Sequence, residues 1–190
     1  MKKIVLSENK KMPWKNGLGT TFEIICYPND KYEWRLSRAI IEKENQFSHF
    51  PGFERILVII SGDGLRLNQF ELQPFEPYSF SGNDSIHCVP RGKVVQDLGL
   101  IFNPQQWTAR AVVSVQELKS LSFPEPPLIL IYAISDQESF LNQNLLAGET
   151  IILEPGEMTP QQLTKEWERL EAKSHLLPAK LVVFLLSKKK

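Results

Sequence analysis

Cysteine and histidine are scarce in this 190-residue chain: Cys26 and Cys88 are the only cysteines, and there are three histidines. The two cysteines show no C-x-x-C or other ligand-like spacing, so buried, reduced thiols are expected in place of a zinc ribbon or a dithiol redox motif. No H-x-H pair exists, which leaves the common histidine-rich metal centres without a sequence counterpart. Charge of one sign is missing too. The 22 Lys and Arg balance the 22 Asp and Glu, so no global field gathers nucleic acid or an anionic membrane surface. Long apolar runs are also absent. None approaches the roughly 20 residues that cross a bilayer, and the apolar run before Ser7 is too short for the core of a signal peptide. A cytoplasmic protein with no nucleic-acid or membrane partner is the expectation. There is no G-x-S-x-G elbow around a nucleophile. Gly17 and Gly19 lack the third glycine and the following helix of a dinucleotide fingerprint.

What the chain does have is strand signal. Segments such as "TTFEIICYP" at 20–28, "YEWRLSRAII" at 32–41, "RILVIISGDG" at 55–64 and "KVVQDLGLIF" at 93–102 are rich in β-branched and aromatic residues. Each ends at Gly, Pro or Asn-Asp punctuation. "GLRLNQF" at 64–70, "WTARAVVSVQEL" at 107–118, "LILIYAIS" at 128–135, "ETIILEPGE" at 149–157 and "AKLVVFLLS" at 179–187 continue the rhythm. An all-β antiparallel sandwich or barrel follows. The Gly-Asp-Gly tip at 62–64 reads as a hairpin. Helix is expected only over "TPQQLTKEWERLEAKS" at 159–174, short and peripheral. The similar strand and turn rhythm of the second part suggests two related halves, 1–115 and 116–190, in one compact unit.

Within "YEWRLSRAII", strict alternation places Trp34, Leu36, Arg38 and Ile40 on one face and Arg35, Ser37 and Ala39 on the other. Arg35 and Ser37 thus join Lys15, Asn16, Thr20, Ser48 and Arg55 as a polar set suited to an anion, because the guanidinium fork matches a carboxylate and Asn and Thr add neutral hydrogen bonds. Each also has a bland reading. Lys15 can be solvated, Asn16 and Gly17 can form a plain turn, and Arg35 and Arg55 can pair with Glu33 or Glu54. A two-histidine, one-carboxylate metal site from His49, Glu54 and His87 is the alternative that residue types leave open.

In order and spacing, "MPWKNGLGTTFEI", "YEWRLSRAII", "FSHFPGFERILVIISGDGLRL", "FSG" and "VQDLGLIF" resemble the HutD/Ves family over residues 12–102. That family reads P-W-K-N-G-G-G-x-T, then W-R-[LVI]-S-x-A, then F-S-x-[FY]-P-G-x-[DE]-R, then F-x-G, then D-[FL]-N. The match runs through Pro13, Trp14, Lys15, Asn16, Gly17, Gly19 and Thr20, then Trp34, Arg35, Ser37 and Ala39. It continues through Phe47, Ser48, Phe50, Pro51, Gly52, Glu54, Arg55 and Gly62, and ends on Phe80, Gly82 and Asp97. Three positions depart: Leu18 replaces a Gly, Phe22 an Arg, and Gly99 an Asn.

The resemblance implies a cupin-like β-barrel, a bicupin in one chain, without the usual cupin metal ligands and with no cofactor. It implies a non-catalytic accessory or regulatory protein that binds a small ligand, with one branch linked to histidine utilisation and another to stress. A carboxylate metabolite of histidine breakdown is the ligand the first branch suggests. The expected binding set is Trp14, Lys15, Asn16, Gly17, Gly19, Thr20, Arg35, Ser37, Phe47, Ser48, Arg55 and Asp97, with Arg35 and Arg55 on adjacent strands. Homodimerisation is expected by analogy. A metal-dependent cupin enzyme and a stoichiometric interaction module are the alternatives.

Overall fold

The computed structural model describes residues 1–14, 18–28, 31–173 and 180–190. It divides into two compact units. One comprises residues 8–107 with 189–190, the other residues 1–7 with 108–188. The first seven residues thus belong with the C-terminal part of the chain.

In chain order the strands begin with β1 (Lys2–Ile4), β2 (Lys10–Pro13), β3 (Gly19–Tyr27), β4 (Trp34–Ile41), β5 (Asn45–Gln46) and β6 (Glu54–Ser61). There follow β7 (Leu65–Leu67), β8 (Phe70–Leu72), β9 (Tyr78–Ser81), β10 (His87–Pro90), β11 (Val95–Phe102) and β12 (Trp107–Val112). The unit of residues 8–107 holds a six-stranded sheet, β2-β3-β4-β11-β6-β9, and a four-stranded sheet, β5-β10-β7-β8. Each pairing in both is antiparallel. This is the antiparallel two-sheet architecture expected for a cupin-like barrel. Its core forms where Ile41, Leu57, Ile59 and Val95 of the larger sheet meet Leu65, Leu67, Leu72 and Cys88 of the smaller one.

The Gly-Asp-Gly tip is not a hairpin. β6 belongs to the six-stranded sheet and β7 to the four-stranded one, so the tip carries the chain across the sandwich. A Cβ on Gly62 would lie 2.6 Å from the Val94 carbonyl oxygen, a backbone contact that keeps this corner tight.

The other unit contains helix α1 (Val115–Ser120), strands β13 (Leu128–Ala133), β14 (Gln137–Phe140), β15 (Gln143–Leu145) and β16 (Thr150–Leu153), helix α2 (Pro160–Lys173) and strand β17 (Leu181–Lys188). Its sheet runs β1-β16-β13-β17-β12, beside a β14-β15 ribbon. Residues 115–120 are helical where strand was expected, and the reason is local. Ser114 accepts from the Glu117 N–H at 3.3 Å while the Glu117 carboxylate accepts from the Val113 N–H at 2.9 Å, the reciprocal capping that starts a helix.

Helix α2 opens in a related way. The Gln162 N–H donates to Thr159 Oγ1 at 3.2 Å, the Thr159 N–H donates to Gln162 Oε1 at 2.8 Å, and Pro160 fills the first helical position. This helix is not peripheral. Leu163, Trp167 and Leu170 recur at helical spacing and are buried against Ile129, Ile131, Val183 and Leu185.

Candidate functional site

The six-stranded sheet lays out the site as rows across its strands. Register places Arg35, Ile101, Arg55 and Phe80 side by side on β4, β11, β6 and β9. The next row of the same face holds Ser37, Gly99 and Leu57, and the one after it Ala39, Asp97 and Ile59. The alternation read in "WRLSRA" therefore aims Arg35 and Ser37 into one space. Arg35 and Arg55 are not on adjacent strands, however, because β11 lies between β4 and β6. Their backbones are thus roughly 10 Å apart.

A cavity of about 560 Å³ lies over these rows. Arg35, Ser37, Gly99 and Asp97 line it from the sheet, Trp14 and Thr21 from one side, and Phe47, Ser48, Phe50 and Arg55 from the other. Its size suits a small organic ligand.

Phe50 reaches the cavity through a turn built by its sequence. In Phe50-Pro51-Gly52-Phe53 the Phe53 N–H donates to the Phe50 carbonyl at 3.1 Å, and Gly52 takes φ 81°. Pro followed by a positive-φ Gly is what a type II turn requires. Gly82 clamps that turn. Its carbonyl accepts from the Phe50 N–H at 2.8 Å and its N–H donates to the Phe53 carbonyl at 2.7 Å. A Cβ at Gly82 would lie 2.2 Å from the Phe50 oxygen, so no larger residue fits there without moving the turn. The "FPGFER" and "FSG" segments are thereby joined in the fold.

Aromatic faces surround the cations. The Arg55 guanidinium lies 4.7 Å from the Phe80 ring centroid, 5.1 Å from Phe47 and 5.2 Å from Phe50. Arg35 lies 5.3 Å from the same Phe50 ring and 5.2 Å from Tyr32. Such contacts hold a guanidinium in place while leaving its N–H fork unneutralised. The Arg55 fork donates to the Ser48 carbonyl at a long 3.3 Å.

Among the described residues neither arginine forms an ion pair with a carboxylate, so the expected pairings with Glu33 or Glu54 are not made. Glu33 instead accepts from the Trp107 indole at 2.8 Å. The Arg35 Nε is buried without a hydrogen-bond partner.

Asp97 is 5% exposed. Burial pushes its carboxyl up to about 7, against the opposing pull of Arg55 and of the Ala39 N–H that its carboxylate accepts from. Burial likewise draws Arg55 down to about 10, with Asp97 opposing and Arg35 adding to the fall. Cys88, in the adjoining core, is fully buried, and desolvation and Asp97 raise its thiol to about 12.

Of the expected binding residues, the fold brings together Trp14, Arg35, Ser37, Phe47, Ser48, Arg55 and Asp97. Lys15, Asn16 and Gly17 lie outside the described residues. Thr20 faces away, because the strand alternates; its neighbour Thr21 lines the cavity and accepts from the Trp14 indole N–H at 2.8 Å. Gly19 sits in close packing: a Cβ there would lie 2.8 Å from both the Trp14 ring and the Ile40 carbonyl oxygen. Thr21, Phe50 and Gly99 were not singled out as binding residues. The register of β3 on β4, which pairs Thr21 with Ala39, is what selects Thr21.

The alternative metal set does not converge. His87 pairs with Glu44 at 2.8 Å, and among the described residues no three of His, Cys, Asp and Glu meet at one point. Of the departures, Phe22 stacks outside the cavity beneath Arg38, 4.6 Å from its guanidinium. Gly99 is inside it. No described helix is long and apolar enough to cross a membrane.

Comparison with known proteins places these features. The HutD family model matches residues 6–171. An uncharacterized 21.2 kDa protein of the hutC 3' region in Pseudomonas putida is 41% identical over 108 residues, 53% of this chain and 57% of that protein. Protein Ves of Citrobacter koseri is 30% identical over 116 residues, 55% of this chain and 61% of that protein. The chain thus matches less than two thirds of the length of these curated relatives. Among solved structures, a conserved protein of unknown function from Pseudomonas aeruginosa PAO1 superposes with TM-score 0.75 at 24% identity, covering 100% of this chain and 99% of that one. HutD from Pseudomonas fluorescens SBW25, in a structure described as the formate condition, gives 0.74 at 22% identity with 100% and 99% coverage. At these identities the likeness is one of fold.

Proposed function

The chain belongs to the HutD family, and from that premise we propose that its cavity binds a small carboxylate, in a non-catalytic accessory or regulatory role tied to histidine breakdown. The observation that carries this reading is the pair Arg35 and Arg55. Two guanidinium groups share one cavity, are held by aromatic rings, and have no carboxylate partner within ion-pair distance among the described residues. A largely buried cation without an ion-pair partner is costly, and burial already holds Arg55 below its ordinary value. An entering carboxylate would bring a negative charge to the pair and accept from the guanidinium N–H groups bidentately.

The apolar wall of Trp14, Phe47 and Phe50 lowers the local dielectric around that contact, which strengthens it. The hutC 3' region named for the Pseudomonas putida relative and the HutD name of the Pseudomonas fluorescens structure support the link to histidine utilisation.

Calorimetric titration with urocanate, formylglutamate, glutamate and formate tests the reading, with Arg55→Ala as the control. At least one of these acids is expected to bind, and the variant to lose about tenfold or more in affinity, the order of a charge-assisted hydrogen bond. No heat from any acid, or equal affinity in the variant, would sink it.

A further inference from the structure

The cavity is polarised from end to end. Arg35 and Arg55 stand in one cross-strand row, while Asp97 stands two rows away at the opposite end and Ser37 in the row between, both buried. Gly99 lies between Ser37 and Leu57 in the intermediate row. Its Cα faces open space: a Cβ there would meet nothing nearer than Asp97 Oδ1 and Ser37 Oγ, each 4.0 Å away. Asp97 and Arg55 feel each other's charge yet form no ion pair. The gap between cationic and acidic ends is therefore held open.

Successive rows on one face of a sheet are about 7 Å apart along the strands. A ligand made only of a carboxylate would leave the Gly99 end unfilled and would set its own negative charge in the same cavity as Asp97. A ligand with a hydrogen-bond donor at its far end would complement both ends.

We propose that the ligand is dipolar, with its carboxylate at Arg35 and Arg55 and an N–H group in the space over Gly99 that donates to Asp97 and Ser37. This rests on the carboxylate reading above and adds the second recognition point. The absence of a side chain at Gly99 is what makes room for the donor, and Asp97 is the residue that selects it. The Ala39 N–H donates to the Asp97 carboxylate and favours its ionised form, and the Ser37 hydroxyl can accept beside it.

A matched pair of probes separates this from the parent reading. Hexanoate and 5-aminopentanoate share a carboxylate and a chain length, and differ in ending with a methyl or an ammonium. An apolar far end would favour hexanoate, since burying an unpartnered ammonium is costly. Calorimetry at about pH 8, where Asp97 is ionised, is expected to show 5-aminopentanoate binding about tenfold more tightly. Asp97→Asn should abolish the preference, and Gly99→Val, which fills the space, should weaken 5-aminopentanoate more than hexanoate.

Equal binding of the two acids, or tighter binding of hexanoate, overturns the dipolar assignment and leaves the carboxylate reading standing. A preference that survives Asp97→Asn overturns it as well. If no carboxylate binds at all, including the four acids of the first titration, the parent reading has failed and this one falls with it.

Discussion

Asp97 carries the largest tension in the cavity. Burial raises its carboxyl from 3.8 to about 7, with Arg55 and the Ala39 N–H opposing. A carboxyl raised in the folded state contributes stability fully below its unfolded value, and that contribution is lost as pH climbs through about 7. Asp97→Asn removes the titration while keeping the shape. Thermal or urea unfolding at about pH 5 and about pH 8 should show the variant gaining on the wild type as pH rises, by roughly 2 kcal/mol between the two conditions. A difference that is flat with pH would mean that Asp97 is not held neutral by the fold.

The same tension bears on ligand choice, because a donor over Gly99 favours the ionised form that burial resists. At the residue scale the sequence named seven of the residues that line the pocket, the two arginines among them. Alternation in "WRLSRA" placed Arg35 and Ser37 on one face, and the matched blocks supplied Arg55, Phe47 and Asp97. It did not separate Thr20 from Thr21, because that choice depends on how β3 registers with β4. It also could not show that Gly19 makes room for Trp14, a contact set by the Trp14 ring and the Ile40 carbonyl.

Elements show a different division between what was readable and what was not. The longer strands followed from composition and turn residues, while the short β5, β10, β14 and β15 did not, and strand order did not, since it is decided by which sheet each strand joins after its turn. Hence Gly62-Asp63-Gly64 joins two sheets instead of closing a hairpin, and β11 separates the two arginine-bearing strands. Helix α1 was hidden inside "ARAVVSVQEL" because its β-branched run outweighs a single capping signal. The S-x-x-E spacing of Ser114 and Glu117 was the available clue. Ser114→Ala should cost about 1 kcal/mol in urea unfolding, and Glu117→Ala, which takes the partner from the Val113 N–H, should lower stability in the same direction. No change in either variant would show that packing of Val115 and Leu118 holds α1 without its cap.

For the whole molecule, the zero net charge means that attraction for a ligand comes from the local arrangement of Arg35, Arg55 and Asp97, and not from a global field. The fold class was legible at this scale because short strands with regular turn signals leave few alternatives to an antiparallel two-sheet fold. The grouping of residues 1–7 with 108–188 was not legible, since it rests on β1 pairing with β16 across the length of the chain. A crystal structure of the chain with the tightest-binding acid of the titration series tests the central claim most directly. The account predicts a carboxylate in the cavity with its oxygens within about 3 Å of the Arg55 guanidinium, the distance of a charge-assisted hydrogen bond. An acid that binds in solution but lies elsewhere on the protein, with the Arg55 cavity free of it, would contradict the account.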